Sequence, residues 1–115
     1  MNSTLPLRAI AADICVAPQL TSAAMAEAAR AGFRSVVNNR PDNEHGPGQP
    51  THAEIQAAAL AAGLEYRFLP VDGGYQSPDE IAQMAQLLAE LPRPLLAFCR
   101  SGARSARLIA AAVAI

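Results

Sequence analysis

The stretch Pro94-Leu95-Leu96-Ala97-Phe98-Cys99-Arg100-Ser101-Gly102-Ala103-Arg104-Ser105 decides the reading of the whole chain. Its apolar opening has the length of a buried strand, and a polar loop with a cysteine, a glycine and two arginines follows at once. Past Arg107 the chain is almost entirely apolar again, which predicts a buried helix over residues 105–115. A strand that delivers a cysteine into a glycine-bearing loop at the start of a helix suits thiolate chemistry on an anion.

Working outward, three more helices announce themselves. Thr21 or Ser22 caps the first, which runs through Ala31 with Gly32 as a left-handed terminator. Thr51-His52-Ala53-Glu54 is a capping box for the second, closed by Gly63. Ser77-Pro78-Asp79-Glu80 opens the third with a cap, a proline at the first helical position and acids where the helix dipole favours them. That helix should end near Leu91, before Pro92. Short runs rich in β-forming residues lie between them, at 14–16, 33–38, 66–69 and 95–99. The alternation predicts an α/β fold, with a mainly parallel central sheet of four to five strands flanked by helices. Ligands in such folds sit beyond the carboxyl ends of the strands. Cys99, Asn38-Asn39-Arg40 and Val71-Asp72-Gly73-Gly74 all fall at such ends, and residues 39–50 read as one long irregular loop.

The 115 residues are expected to form a single domain over 1–115, with 51% hydrophobic and 17% charged residues, as in a globular protein. A net charge of −1 supplies no long-range attraction to nucleic acid or to an anionic membrane, so neither is an expected partner. No apolar run approaches the ~20 residues that span a bilayer, and the N-terminus lacks the pattern of a secretory signal. The expectation is a cytoplasmic protein with Cys15 and Cys99 reduced, Cys15 being a core residue. No cofactor is called for. Glu44, His45 and His52 have no metal-ligand spacing, so they read as solvated loop residues and no metal is expected.

The chemistry then follows from the loop. Cys99, facing the N-terminus of the last helix with Arg100 and Arg104 nearby, should have a depressed pKa. Gly102 permits a positive φ, so the backbone of Ser101, Gly102 and Ala103 can form an anion nest, with Arg100 and Arg104 adding charge. Arg104 can clamp two oxygens at once. Ser105 is placed to donate a hydrogen bond to the sulfur. Asp72, between an apolar strand and Gly73-Gly74, is the candidate general acid. Arg40 either reaches the site or braces the long loop by bonding carbonyls. Tyr75 lines the entrance or merely covers the turn.

The segments Asn38-Asn39-Arg40-Pro41-Asp42, Gly48-Gln49-Pro50, Leu69-Pro70-Val71 and Cys99 to Ser105 resemble the phosphatase-like domain of bacterial beta-lactamase-hydrolase-like proteins, in order and through nearly the whole chain. The resemblance implies a fold akin to dual-specificity cysteine phosphatases, with Cys99 and Arg104 as the functional pair. It also implies that some relatives join this domain to a metal-dependent beta-lactamase-like one acting in sulfide metabolism. The loop departs from the phosphatase pattern in one respect. Cysteine phosphatases place five residues between cysteine and arginine, usually after a histidine, whereas here there are four, and Phe98 stands in the histidine position. The four-residue loop is similar to that of single-domain rhodaneses.

Three readings follow. A phosphatase-like hydrolase would use Cys99 as nucleophile, Arg104 and the loop as anion cradle, and Asp72 as acid, acting on a small phosphoester through a covalent cysteinyl intermediate. A sulfurtransferase would carry sulfane sulfur from an anionic donor as a Cys99 persulfide, with no need of Asp72. A non-catalytic anion-binding or interaction module is the third. Hydrolysis stands slightly ahead.

Overall fold

Leu95, Leu96, Ala97 and Phe98 are all buried, and they form the middle strand of the sheet. The structure, a computed structural model, describes residues 5–114. Its elements in chain order are β1 (Arg8–Ala11), β2 (Ile14–Ala17), α1 (Ser22–Arg30), β3 (Ser35–Asn38), a single 3-10 turn (Gly46–Gly48), α2 (His52–Ala61), β4 (Glu65–Phe68), α3 (Pro78–Glu90), β5 (Leu95–Phe98) and α4 (Ala103–Val113). The sheet order is β1-β2-β5-β3-β4, and every pairing but β1 with β2 is parallel. The α/β architecture is therefore the expected one.

Strand alternation explains the layers. Ile14, Val16, Val37, Leu95 and Ala97 face a core completed by Met84 and Leu88 of α3 and by Leu108, Ile109 and Ala112 of α4. Val36, Leu96, Phe98 and Tyr66 face the other way, onto Ala24, Met25 and Ala28 of α1 and onto Ile55 and Ala59 of α2. The helix caps are those foreseen. Thr51 and Ser77 both form complete capping boxes, and Thr21 accepts from the Ala24 amide; each such cap stabilises its helix by about 1 kcal/mol.

Two differences matter. Strand β1 was not foreseen, because all four of its residues are exposed and carry no alternating pattern. Helix α4 begins at Ala103, two residues earlier than the hydrophobic pattern indicates, since Gly102 at φ 93° acts as its N-cap. It runs to Val113; Ile115, where the expected helix ended, lies outside the described residues.

Candidate active site

Parallel register places the ends of β2, β5 and β3 side by side, with Ala17 opposite Phe98 and Phe98 opposite Asn38. The chain leaving β5 stays locked to its neighbours. The Cys99 amide donates to Ala17 O at 3.4 Å, and the Asn39 amide donates to Phe98 O at 2.9 Å. The loop then turns at Gly102. A Cβ there would only touch the Ala17 backbone, at 3.4 Å, so it is the left-handed φ that requires glycine.

Cys99 is fully buried, and the Gly102 amide donates to its Sγ at 3.1 Å. Burial pushes the thiol up, but hydrogen bonds from the Ser105 amide and hydroxyl and from the Ser101 and Gly102 amides outweigh it, leaving Cys99 below the ordinary thiol value. The Ser105 hydroxyl has one proton and two acceptors within reach. It donates to Asn39 Oδ1 at 2.8 Å, so the amides carry most of the lowering, and the hydroxyl adds to it only by turning towards the sulfur. The Ala103 amide donates to Ser101 Oγ at 3.3 Å and is thereby partly satisfied within the loop. Arg100 is exposed beside it. Cys15, half-buried on β2, is in the opposite condition: burial pushes its thiol up.

Arg104 is 8% exposed and held from three sides. Nη1 donates to Glu44 Oε2 at 2.9 Å and to Val71 O at 3.1 Å, and Nη2 donates to Glu44 Oε1 at 3.1 Å. Its Nε is buried with no partner among the described residues. A buried guanidinium N–H with no acceptor is costly unless a ligand supplies one. Glu44 Oε1 also accepts from Arg40 Nε at 2.9 Å, while Arg40 Nη1 donates to Gln19 Oε1 at 3.1 Å.

The structure refines three sequence readings. Glu44 is exposed in the loop, as expected, but it is not merely solvated: its carboxylate joins both arginines. Arg40 bonds side chains, Glu44 and Gln19, rather than carbonyls, and through Glu44 it borders Arg104. His52 also leaves the solvated class, since its ring stacks on Phe68 with centroids 4.0 Å apart. Asn39, fully buried, was missed as well; its Nδ2 donates to Leu69 O at 2.9 Å while its Oδ1 orients Ser105. Only the placement of Asn39 and Glu44 around Arg40 hinted at either role.

Hydrogen bonds from Arg104 hold the Glu44 carboxyl low, opposed by some burial and reinforced by Arg40. The ion pair therefore stabilises the fold fully above the unfolded glutamate value of about 4.3, and is lost as pH falls through the depressed native value. Acid unfolding of wild type and Glu44→Gln should show a stability difference that narrows below about pH 4; a difference independent of pH would contradict this assignment.

Asp72 is exposed and sits between two residues tied to the arginines. Val71 O receives Arg104, and Gly73 O receives Arg107 Nη2 at 2.9 Å. A Cβ on Gly73 would lie 3.1 Å from Arg104 Nη2. Because Glu44 and Val71 fix that guanidinium, Gly73→Ala should cost anion affinity more than stability, about tenfold in KM. An unaltered KM would show that the contact yields freely. The Asp72 carboxylate leans over Gly74, which a Cβ would place 3.8 Å from Oδ2. Tyr75 is 65% exposed.

A mostly parallel sheet with a cysteine-to-arginine loop between its middle strand and the next helix is a fold of the cysteine-phosphatase type. Within that class, the chain belongs to the family described as "Beta-lactamase hydrolase-like protein, phosphatase-like domain", which it matches over residues 6–115. It is similar to the beta-lactamase hydrolase-like protein of Agrobacterium fabrum, at 42% identity over 77 residues, which are 67% of this chain and 18% of that protein. The protein of the same name from Xylella fastidiosa is 42% identical over 82 residues, 71% of this chain and 19% of that protein. The chain thus matches less than a fifth of the length of these curated relatives. Among solved structures it is similar to a provisionally assigned phosphatase from Neisseria meningitidis, with TM-score 0.80, 29% identity, and coverage of 88% of this chain and 71% of that one. Tk-PTP in its active form gives TM-score 0.62 at 20% identity, covering 84% and 63%, a likeness of fold alone. Among the described residues no helix is long and apolar enough to cross a membrane.

Proposed function

We propose that the domain is a cysteine-dependent hydrolase of small phosphoesters. The Cys99 thiolate attacks phosphorus, forming an S–P bond as the ester P–O bond breaks. Loop amides and the Arg104 guanidinium stabilise the charge on the equatorial oxygens. Asp72 gives a proton to the leaving oxygen. Water then attacks phosphorus, giving a proton back to the Asp72 carboxylate, and the sulfur leaves as thiolate, eased by a hydrogen bond from Ser105 as its hydroxyl turns away from Asn39. Because Cys99 exposes no surface, the anion reaches it as the exposed 100–101 segment yields.

The observation that carries this reading is the unpartnered, buried Nε of Arg104, in the first turn of the helix that follows a cysteine of depressed pKa. Glu44 occupies the far side of the guanidinium and leaves Nε for an anion. Membership of a phosphatase-like family supports phosphorus as the reacting atom. One observation favours the alternative, a sulfurtransferase carrying a Cys99 persulfide: the loop holds four residues between cysteine and arginine, a cradle sized for a sulfane sulfur or small anion.

Assays with 4-nitrophenyl phosphate and an alkyl phosphate, and with thiosulfate plus cyanide, separate the two. Asp72→Asn should lower turnover of the alkyl phosphate about 100-fold, because its poor leaving group needs the acid. Cys99-dependent sulfur transfer that survives Asp72→Asn, without phosphate release, would replace this reading by the alternative.

A further inference from the structure

Arg40 is 6% exposed, yet it is not consumed by its protein contacts. Nε donates to Glu44 and Nη1 to Gln19, while Nη2 bonds nothing among the described residues. Nor is Nη2 one of the buried unpartnered atoms, which among the described residues are Arg93 Nε and Arg104 Nε; it keeps contact with solvent. Arg40 Nε and Arg104 Nη2 meet on the same oxygen, Glu44 Oε1, so the two nitrogens lie within roughly 6 Å of each other.

Charge counting makes this pairing informative. Glu44 receives three arginine donors on its two oxygens and neutralises one guanidinium of the two. The cluster keeps a net positive charge, with unbonded N–H groups on each arginine: Nε on Arg104 and Nη2 on Arg40. One carboxylate balances the charge of only one arginine, so the second guanidinium is left to be balanced by an anion from outside the cluster. Gln19, the other partner of Arg40, is itself tied to the cysteine loop through its amide, which donates to Arg100 O at 3.3 Å. Arg40 is thus tied to the loop through Gln19, and exposed Arg100 adds to the field.

We infer that Arg40 is a second anion-binding group, and that the preferred substrate is a small molecule with two anionic groups, one seated in the Cys99 loop and one on Arg40. The inference rests on the hydrolase reading above for the identity of the first anion as a phosphoester. Guanidinium-to-phosphate contacts are charge-assisted and directional, so Arg40 selects by the spacing of the second group rather than by charge alone.

The test uses non-hydrolysable probes, butylphosphonate and butane-1,4-bisphosphonate, titrated calorimetrically into the wild-type protein. The bisphosphonate should bind about tenfold more tightly, well beyond the factor of about two expected from having two equivalent ends. Arg40→Met should collapse that ratio to about two, and Arg40→Lys should leave it in between. A merely structural Arg40 would weaken both probes alike and leave the ratio intact. An absent advantage in wild type, or one that survives Arg40→Met, overturns the inference. If Arg40→Met does not fold, Arg40→Lys decides: a ratio equal to that of wild type counts against the second site. The hydrolase reading fails separately, by absence of Cys99-dependent phosphate release from 4-nitrophenyl phosphate, and that result does not alter the binding ratio.

Discussion

Cys99→Ser is expected to lower turnover of an aryl phosphate by about 10,000-fold or more, the scale on which removal of a covalent nucleophile acts. The loss should be chemical, not structural. Serine is slightly smaller than cysteine, and the Gly102 amide that meets Sγ at 3.1 Å can donate to a hydroxyl oxygen instead. Gly102 keeps its left-handed turn, Cys99 N keeps its bond to Ala17 O, and Arg104 keeps Glu44. The variant should therefore unfold within about 1 kcal/mol of wild type and still bind phosphate. A serine variant that retains a tenth of the activity would remove Cys99 from the reaction. One that unfolds would leave its role to be read from Cys99→Ala, where cavity and activity effects separate by comparing stability with turnover.

Glu44→Ala is the second large effect. It strips Arg104 of two hydrogen bonds and Arg40 of one, and leaves two buried guanidinium groups without a counter-charge. Breaking a fully buried pair costs about 3–5 kcal/mol. The Glu44 side chain is 27% exposed, so water compensates in part, and about 2 kcal/mol is expected. Turnover should fall about 100-fold, because a clamp arginine misplaced by an ångström no longer meets the transition state. The two losses share one signature. Inorganic phosphate should stabilise Glu44→Ala more than wild type, since the anion replaces the missing carboxylate for both arginines. Equal stabilisation of the two proteins would show that Glu44 does not position the cluster.

Much of this was legible in the sequence, for identifiable reasons. Helix caps are local chemistry, so Thr51 with Glu54 and Ser77 with Glu80 could be read directly, and both capping boxes are present. The central strands are continuous apolar runs because both faces are covered, which is what residues 95–98 display. The Cys99 loop was readable because cysteine, glycine and arginine lie within a few residues. Glu44 and Asn39 were not readable as partners of that loop. Glu44 reaches Arg104 across 60 positions of sequence, and Asn39 reaches Ser105 across 66. Such contacts depend on strand order, which places β3 beside β5, and no local pattern encodes strand order. Strand β1 escaped for the opposite reason: an exposed edge strand buries nothing and so carries no hydrophobic signature.

The central claim is that Cys99 carries a phosphoryl group. The most direct measurement is the mass of the Cys99 peptide after rapid acid quench of the protein turning over 4-nitrophenyl phosphate, with a parallel sample exposed to thiosulfate. The first sample should gain one phosphoryl group on Cys99, the gain should disappear in Cys99→Ser, and the second sample should show no stable adduct. A Cys99 peptide heavier by one sulfur atom in the second sample, with no phosphoryl gain in the first, would contradict it.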